Sequence, residues 1–132
     1  MHLMRKCPCP VWVIKPAHHK KYARIMAAVD PDPIDKKSNS INTKIMELTT
    51  SLARIEGSEL HVAHAWSLYG ESLMTGFIRM SQSEVDKLVR QTRKEHQGRI
   101  TELVEKHVPR LPNGRIHLLK GNAEELKPAL AK

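Results

Sequence analysis

The chain has 132 residues, with 40% hydrophobic and 27% charged positions. That is the make-up of one ordinary globular domain, long enough to bury a core without disulfides or metals, and it excludes collagen-like and disordered classes. The net charge of +8 invites a nucleic-acid partner, so its distribution matters.

Residues 1–24 carry Arg5, Lys6, Lys15, Lys20, Lys21 and Arg24 and no acid, which leaves 16 basic and 14 acidic residues from position 25 onward. The excess therefore belongs to an N-terminal arm, and the charges of the nearly balanced body read as solvated helix faces. Aromatic residues are only 4%, which leaves few platforms for stacking bases. A nucleic-acid-associated module using residues 5–24 is the weakest of three functional readings. No apolar run reaches the roughly 18 residues of a membrane span, and Pro8 and Pro10 break up the N-terminal segment. A cytoplasmic protein with no membrane partner is expected.

In chain order, residues 1–6 read as a helix end stopped by Pro8 and Pro10. Val11-Trp12-Val13-Ile14 reads as a short buried strand, and residues 17–23 as a basic linker. A strand is expected from Arg24 to Asp30, closed by Pro31-Asp32-Pro33. Ile41, Ile45, Leu48, Leu52 and Ile55 step by four and three, the spacing of one apolar helix stripe. Ser38 or Ser40 is the expected cap at its start and Gly57 its stop. A strand over Leu60–Trp66 follows, then a long loop, 67–80, with the apolar residues Leu73, Met74, Phe77 and Ile78. Such loops are often functional, and this one admits a hydrophobic ligand over the sheet.

Ser81-x-x-Glu84 is a capping box, and the helix it opens should turn Val85, Leu88, Val89, Thr92, Ile100, Leu103, Val104 and His107 inward before Pro109. After a turn at Pro112-Asn113-Gly114, Ile116–Lys120 forms a third strand. Gly121 closes it, and Asn122 caps a last helix over Ala123–Ala131. Strands alternating with helices imply an α/β fold with a parallel sheet and ligands at the carboxyl ends of its strands.

Little in the sequence argues for catalysis. None of the six glycines forms a dinucleotide fingerprint or a P-loop, and no Ser-His-Asp or Cys-His elbow falls on a strand-to-helix turn. Cys7 and Cys9, one residue apart, suit neither a disulfide nor a four-ligand zinc site and read as part of a turn. His61 and His64 face opposite sides of their strand, and His96, His107 and His117 show no ligand spacing. No metal site and no enzyme are expected.

The stretch His2-Leu-Met-Arg-Lys-Cys-Pro-Cys-Pro-Val-Trp-Val-Ile-Lys-Pro16 resembles the close of a universal stress protein domain. Ile25-Met-Ala-Ala-Val-Asp30 resembles the opening strand of a second copy, Glu59–Trp66 its second strand, and Ile116–Leu126 its third strand and third helix. The combined pattern is similar to the tandem, E-type branch of the family. The resemblance implies a tail of a first domain at 1–16 and two thirds of a second at 24–132, with the family's three-layer fold incomplete. It implies packing of tandem domains, or self-association, through Val11, Trp12, Val13 and Ile14, and an exposed sheet edge at the first strand of the second copy.

Many members bind ATP, and the resemblance carries three nucleotide contacts onto this chain: Asp30, Ala65 and Gly121. The family's phosphate signature, Gly-x2-Gly-x9-Gly-Ser/Thr, does not occur before Lys132. The leading expectation is therefore a non-catalytic ligand-binding or adaptor module of the bacterial stress response. The runner-up is an ATP-binding or weakly ATP-hydrolysing protein whose phosphate motif lies further along a longer parent.

Overall fold

The computed structural model describes residues 9–11, 13, 22–32, 34–71, 74 and 80–130. Three strands, β1 (Arg24–Ala28), β2 (Glu59–Trp66) and β3 (Ile116–Lys120), form one parallel sheet in the order β1-β2-β3. Three helices, α1 (Lys36–Glu56), α2 (Gln82–His107) and α3 (Ala123–Leu130), alternate with them. This is the expected α/β alternation. The first strand ends at Ala28, two residues before the expected Asp30, because the chain leaves the ladder at Val29, whose amide makes a last bond to the Ala63 carbonyl (3.0 Å).

Both crossovers step the same way across the sheet, so their shared handedness puts α1 and α2 on one face. The core lies there. Ala27 and Val29 from the first strand and Leu60 and Val62 from β2 pack against Met46 and Ala53 of α1 and Ile100 and Val104 of α2. Alternation along β2 sends His61, Ala63 and Ala65 to the opposite face, which α3 covers in part. A cavity of about 210 Å³ remains there, lined by Met26, His61, His117 and Leu130 among others.

The start of α1 differs from expectation. Asp35 is the cap: its carboxylate accepts from the Lys37 amide (2.9 Å), one turn before either serine. An ionised cap at a helix N-terminus satisfies an orphan amide and complements the dipole, which a serine deeper in the helix cannot do. The buried line of α1 is also rotated from the apolar stripe. Asn42, Met46 and Ala53 are buried, whereas Ile41, Leu48 and Ile55 face outward, Ile55 at 79% exposure. The reason is polar: Asn42 is turned inward to bond the end of β1, which fixes the rotation of the helix. The helix stops as expected at Gly57, in the left-handed region at φ 67°, where the Gly57 and Ser58 amides both return to the Ala53 carbonyl.

The α2 capping box forms. The Ser81 amide donates to Glu84 Oε2 (2.9 Å) and the Ser81 hydroxyl accepts from the Glu84 amide. The Ser81 hydroxyl also donates to Glu84 Oε2 (2.7 Å), and that bond, then the one from the Ser81 amide, holds the Glu84 carboxyl below the usual range. Val85, Ile100 and Val104 are buried, and the rest of the expected inner face is half-buried.

Among the described residues, no strand pairs with the outer edge of β1. Val11 and Val13 are exposed and carry no strand pairing, so the expected strand is not formed at those two positions. Trp12, Ile14, the helix end at 1–6 and most of the basic linker lie outside the described residues, as do Leu73, Phe77 and Ile78 of the long loop. No helix among the described residues is long and apolar enough to cross a membrane.

Gly121 sits at φ 134°, and a Cβ there would stand 2.9 Å from Leu126 Cδ1. Gly121→Ala is expected to lower the unfolding free energy by about 1–3 kcal/mol. Urea denaturation of the two chains under identical conditions checks this.

Candidate functional site

The strands deliver the three sequence-predicted residues to one rim. The register pairs Ala28 with Ala63, so Asp30, two residues on, is level with Ala65; Ala65 in turn pairs with Leu119, two residues before Gly121. The three positions thus line the carboxyl ends of the adjacent strands, where a parallel sheet presents its ligand crevice. Ala65 is half-buried on the α3 face. Gly121 closes the rim by donating its amide to the Trp66 carbonyl (2.8 Å), and Asn122 caps α3 behind it through the Glu124 amide (3.1 Å).

Asp30 is held through its backbone. The Asn42 side chain, 3% exposed, accepts from the Asp30 amide (3.0 Å) and donates to the Asp30 carbonyl (2.8 Å). The Ser38 hydroxyl adds a bond to that carbonyl (3.3 Å). A single amide side chain thus replaces the ladder partner that Asp30 has lost. The Asp30 side chain stays 78% exposed, and its carboxylate is 3.6 Å from Nδ1 of His64.

His64 leads to a cluster that sequence reasoning did not assemble. It is fully buried. Its Nδ1 lies 3.2 Å from the Val29 carbonyl, and its Nε2 lies 2.8 Å from Nδ1 of His96 on α2. The His96 ring is flanked by His64 (centroids 5.0 Å apart) and stacked on Trp66 (5.6 Å). Burial, and then the Arg99 charge, hold the His96 imidazole below its ordinary value, against the opposing charges of Asp30 and Glu95. A signal for His96 was present: positions 92, 96, 100 and 104 step by four along the inner face of α2.

The sequence expectation that His61 and His64 face opposite ways holds, and each finds a separate partner. His61 Nδ1 is 3.0 Å from His117 Nε2, with the rings stacked at 5.2 Å. His61 Nε2 makes no hydrogen bond, and the Glu59 carboxylate, itself bonded by Arg115 (3.0 Å), stands 3.6 Å from it. Two imidazoles fall short of the donor set zinc requires, and no group of three such ligands occurs among the described residues. Cys9 is exposed, and Cys7 lies outside the described residues.

No family model matches the chain. In sequence, it is 32% identical over 66 residues to Universal stress protein E of Escherichia coli K12 and of Salmonella typhi. The aligned segment is 49% of this chain and 21% of each relative, so the chain matches about a fifth of their length. In structure, it superposes on a universal stress protein from Pseudomonas aeruginosa UCBPP-PA14 with a TM-score of 0.61 at 22% identity. It superposes equally on a functionally unknown protein from Pseudomonas aeruginosa PAO1, with a TM-score of 0.60 at 23% identity. Each superposition covers 98% of this chain and 40% of the other.

Two outcomes check the site. Asn42→Ala takes the buried partner from both backbone polar groups of Asp30, leaving only the long Ser38 bond to the carbonyl, and is expected to cost about 1–3 kcal/mol in urea denaturation. The second concerns pH. Burial, and then the neighbouring His61, hold His117 below its ordinary value, as burial holds His96. An unfolded chain with imidazoles near ~6.5 binds protons that the folded chain refuses. Stability is therefore full above that value and falls as pH drops below it. Urea midpoints at decreasing pH should fall for the parent chain and fall less steeply for His117→Asn.

Proposed function

From the similarity to Universal stress protein E and the fold shared with a universal stress protein, we propose that the chain is of universal stress protein type and serves the stress response as a non-catalytic ligand-binding module. Its ligand is the adenosine portion of a nucleotide, held at the carboxyl ends of the strands by Asp30, Ala65 and Gly121. The observation that carries this reading is the contrast at Asp30. Its backbone is pinned on both sides by a buried asparagine while its carboxylate projects into solvent. A carboxylate fixed in this way is suited to accept hydrogen bonds from ribose hydroxyls, and its charge strengthens them. The half-buried Ala65 is level with Asp30 on the neighbouring strand and keeps the other face of the rim small, and Gly121 lets the chain turn close to the rim.

The residues fit adenosine and do not fit a triphosphate. Phosphates bound on a parallel sheet need successive backbone amides in a glycine-rich turn. The 132 residues contain no Gly-x2-Gly-x9-Gly-Ser/Thr run, and no described strand is followed by a glycine-rich turn. Among the described residues, no paired acid, base or nucleophile stands at the rim apart from Asp30 and the His64–His96 pair. We therefore assign no hydrolytic step to this chain. Association with a further domain through Val11, Trp12, Val13 and Ile14 belongs to the same proposal. Its support is that Val11 and Val13 are apolar and exposed.

Calorimetric titration tests the reading. Adenosine and ATP are expected to bind with similar, weak affinity, and Asp30→Ala to weaken both about tenfold, roughly 1.4 kcal/mol. ATP binding far tighter than adenosine, or adenosine binding unchanged by Asp30→Ala, would overturn it.

A further inference from the structure

Besides the rim residues, the fold pairs a buried imidazole, His64, with a half-buried one, His96, and the proposed function gives the pair no task. His64 comes from the middle of the sheet and His96 from the middle of α2, so their bond ties the helix to the carboxyl end of β2. The hydrogen positions follow from the acceptor beside them. A carbonyl only accepts, so the Val29 oxygen requires a proton on Nδ1 of His64. In the neutral pair His64 then offers Nε2 as a lone pair, and His96 donates its Nδ1–H across 2.8 Å. One added proton can be shared along this line, because N–H⁺···N is still a hydrogen bond. A second cannot, since two N–H groups would then point at each other.

We infer that the His64–His96 pair is a proton-operated latch that fastens α2 to the sheet beside Asp30 and lets go in mild acid. The charged groups around it set its working range. From the first strand's end, the Asp30 carboxylate lies 3.6 Å from His64 and favours a charged pair. From α2, Arg99 disfavours charge on His96 and Glu95 favours it, while burial disfavours it most. From β2, the buried Trp66 ring stacks on His96, centroids 5.6 Å apart, and covers one face of it. Release would swing His96 away from Trp66 and from the neighbourhood of Asp30, changing the rim without unfolding the core of Val62, Ile100 and Val104. The latch stands on this geometry alone, whether or not adenosine is the ligand.

Trp66 is a built-in reporter, because its only other indole competitor is Trp12. In the full chain with Trp12→Phe, emission from Trp66 is followed from pH 7.5 downward together with the far-ultraviolet helical signal. The expected result is a change in Trp66 emission with a midpoint below the ~6.5 of a free imidazole, while the helical signal is retained. His96→Asn should abolish that change. Should His96→Asn not fold, nitrogen-edited spectra of the parent chain decide: the pair should titrate in two coupled steps, with Nε2 of His64 and Nδ1 of His96 shifting together in the second, which opens the bond. The latch is overturned by Trp66 emission that stays flat until the helical signal is lost. An unaltered titration in His96→Asn, or two imidazoles titrating independently, would equally overturn it.

Discussion

One buried side chain governs how this chain presents its rim. Asn42 gives its carbonyl to the Asp30 amide and its amide to the Asp30 carbonyl. A strand that leaves its sheet exposes unpaired backbone groups, and burying them unsatisfied is costly. Here the helix that follows β1 supplies the missing partner. That bond fixes the rotation of α1, brings Met46 and Ala53 into the core, and turns Ile41, Leu48 and Ile55 outward. It also holds Asp30 at the level of Ala65 and leaves its carboxylate exposed.

The sheet and its histidines extend the same logic. β2 is central, with a strand on either side, and each of its faces carries a histidine joined to another element. His64 bonds α2 and His61 bonds β3. Neutral imidazoles are economical there, since each can donate and accept, but they make the fold sensitive to acid. The folded chain refuses protons at His96 and His117 because burial disfavours their charged forms.

Much of the architecture was legible in the sequence. The apolar-rich segments Ile25–Val29, Leu60–Trp66 and Ile116–Leu119 are strands or strand ends, and the Ser81–Glu84 box opens α2 where the pattern placed it. What was not legible depends on contacts far apart in the chain. An asparagine at position 42 does not read as buried, because its burial depends on backbone groups twelve residues away. The apolar stripe of α1 therefore predicted a rotation that a polar contact overrides. Asp35 was passed over as a cap in favour of serines one turn later, although an ionised cap serves the helix dipole better. The His64–His96 bond spans 32 residues and joins two elements, so spacing within either one could not disclose it. The carboxyl-end positions of Asp30, Ala65 and Gly121 were legible because strand direction alone fixes them. What they hold is a matter for binding measurements.

The most direct test of this account is amide hydrogen exchange at Asp30. If Asn42 substitutes for a ladder partner, the Asp30 amide should be protected to nearly the same free energy as Val62 in the middle of β2, although its side chain is exposed. Exchange at Asp30 as fast as in an unstructured peptide, with Val62 still protected, would contradict it.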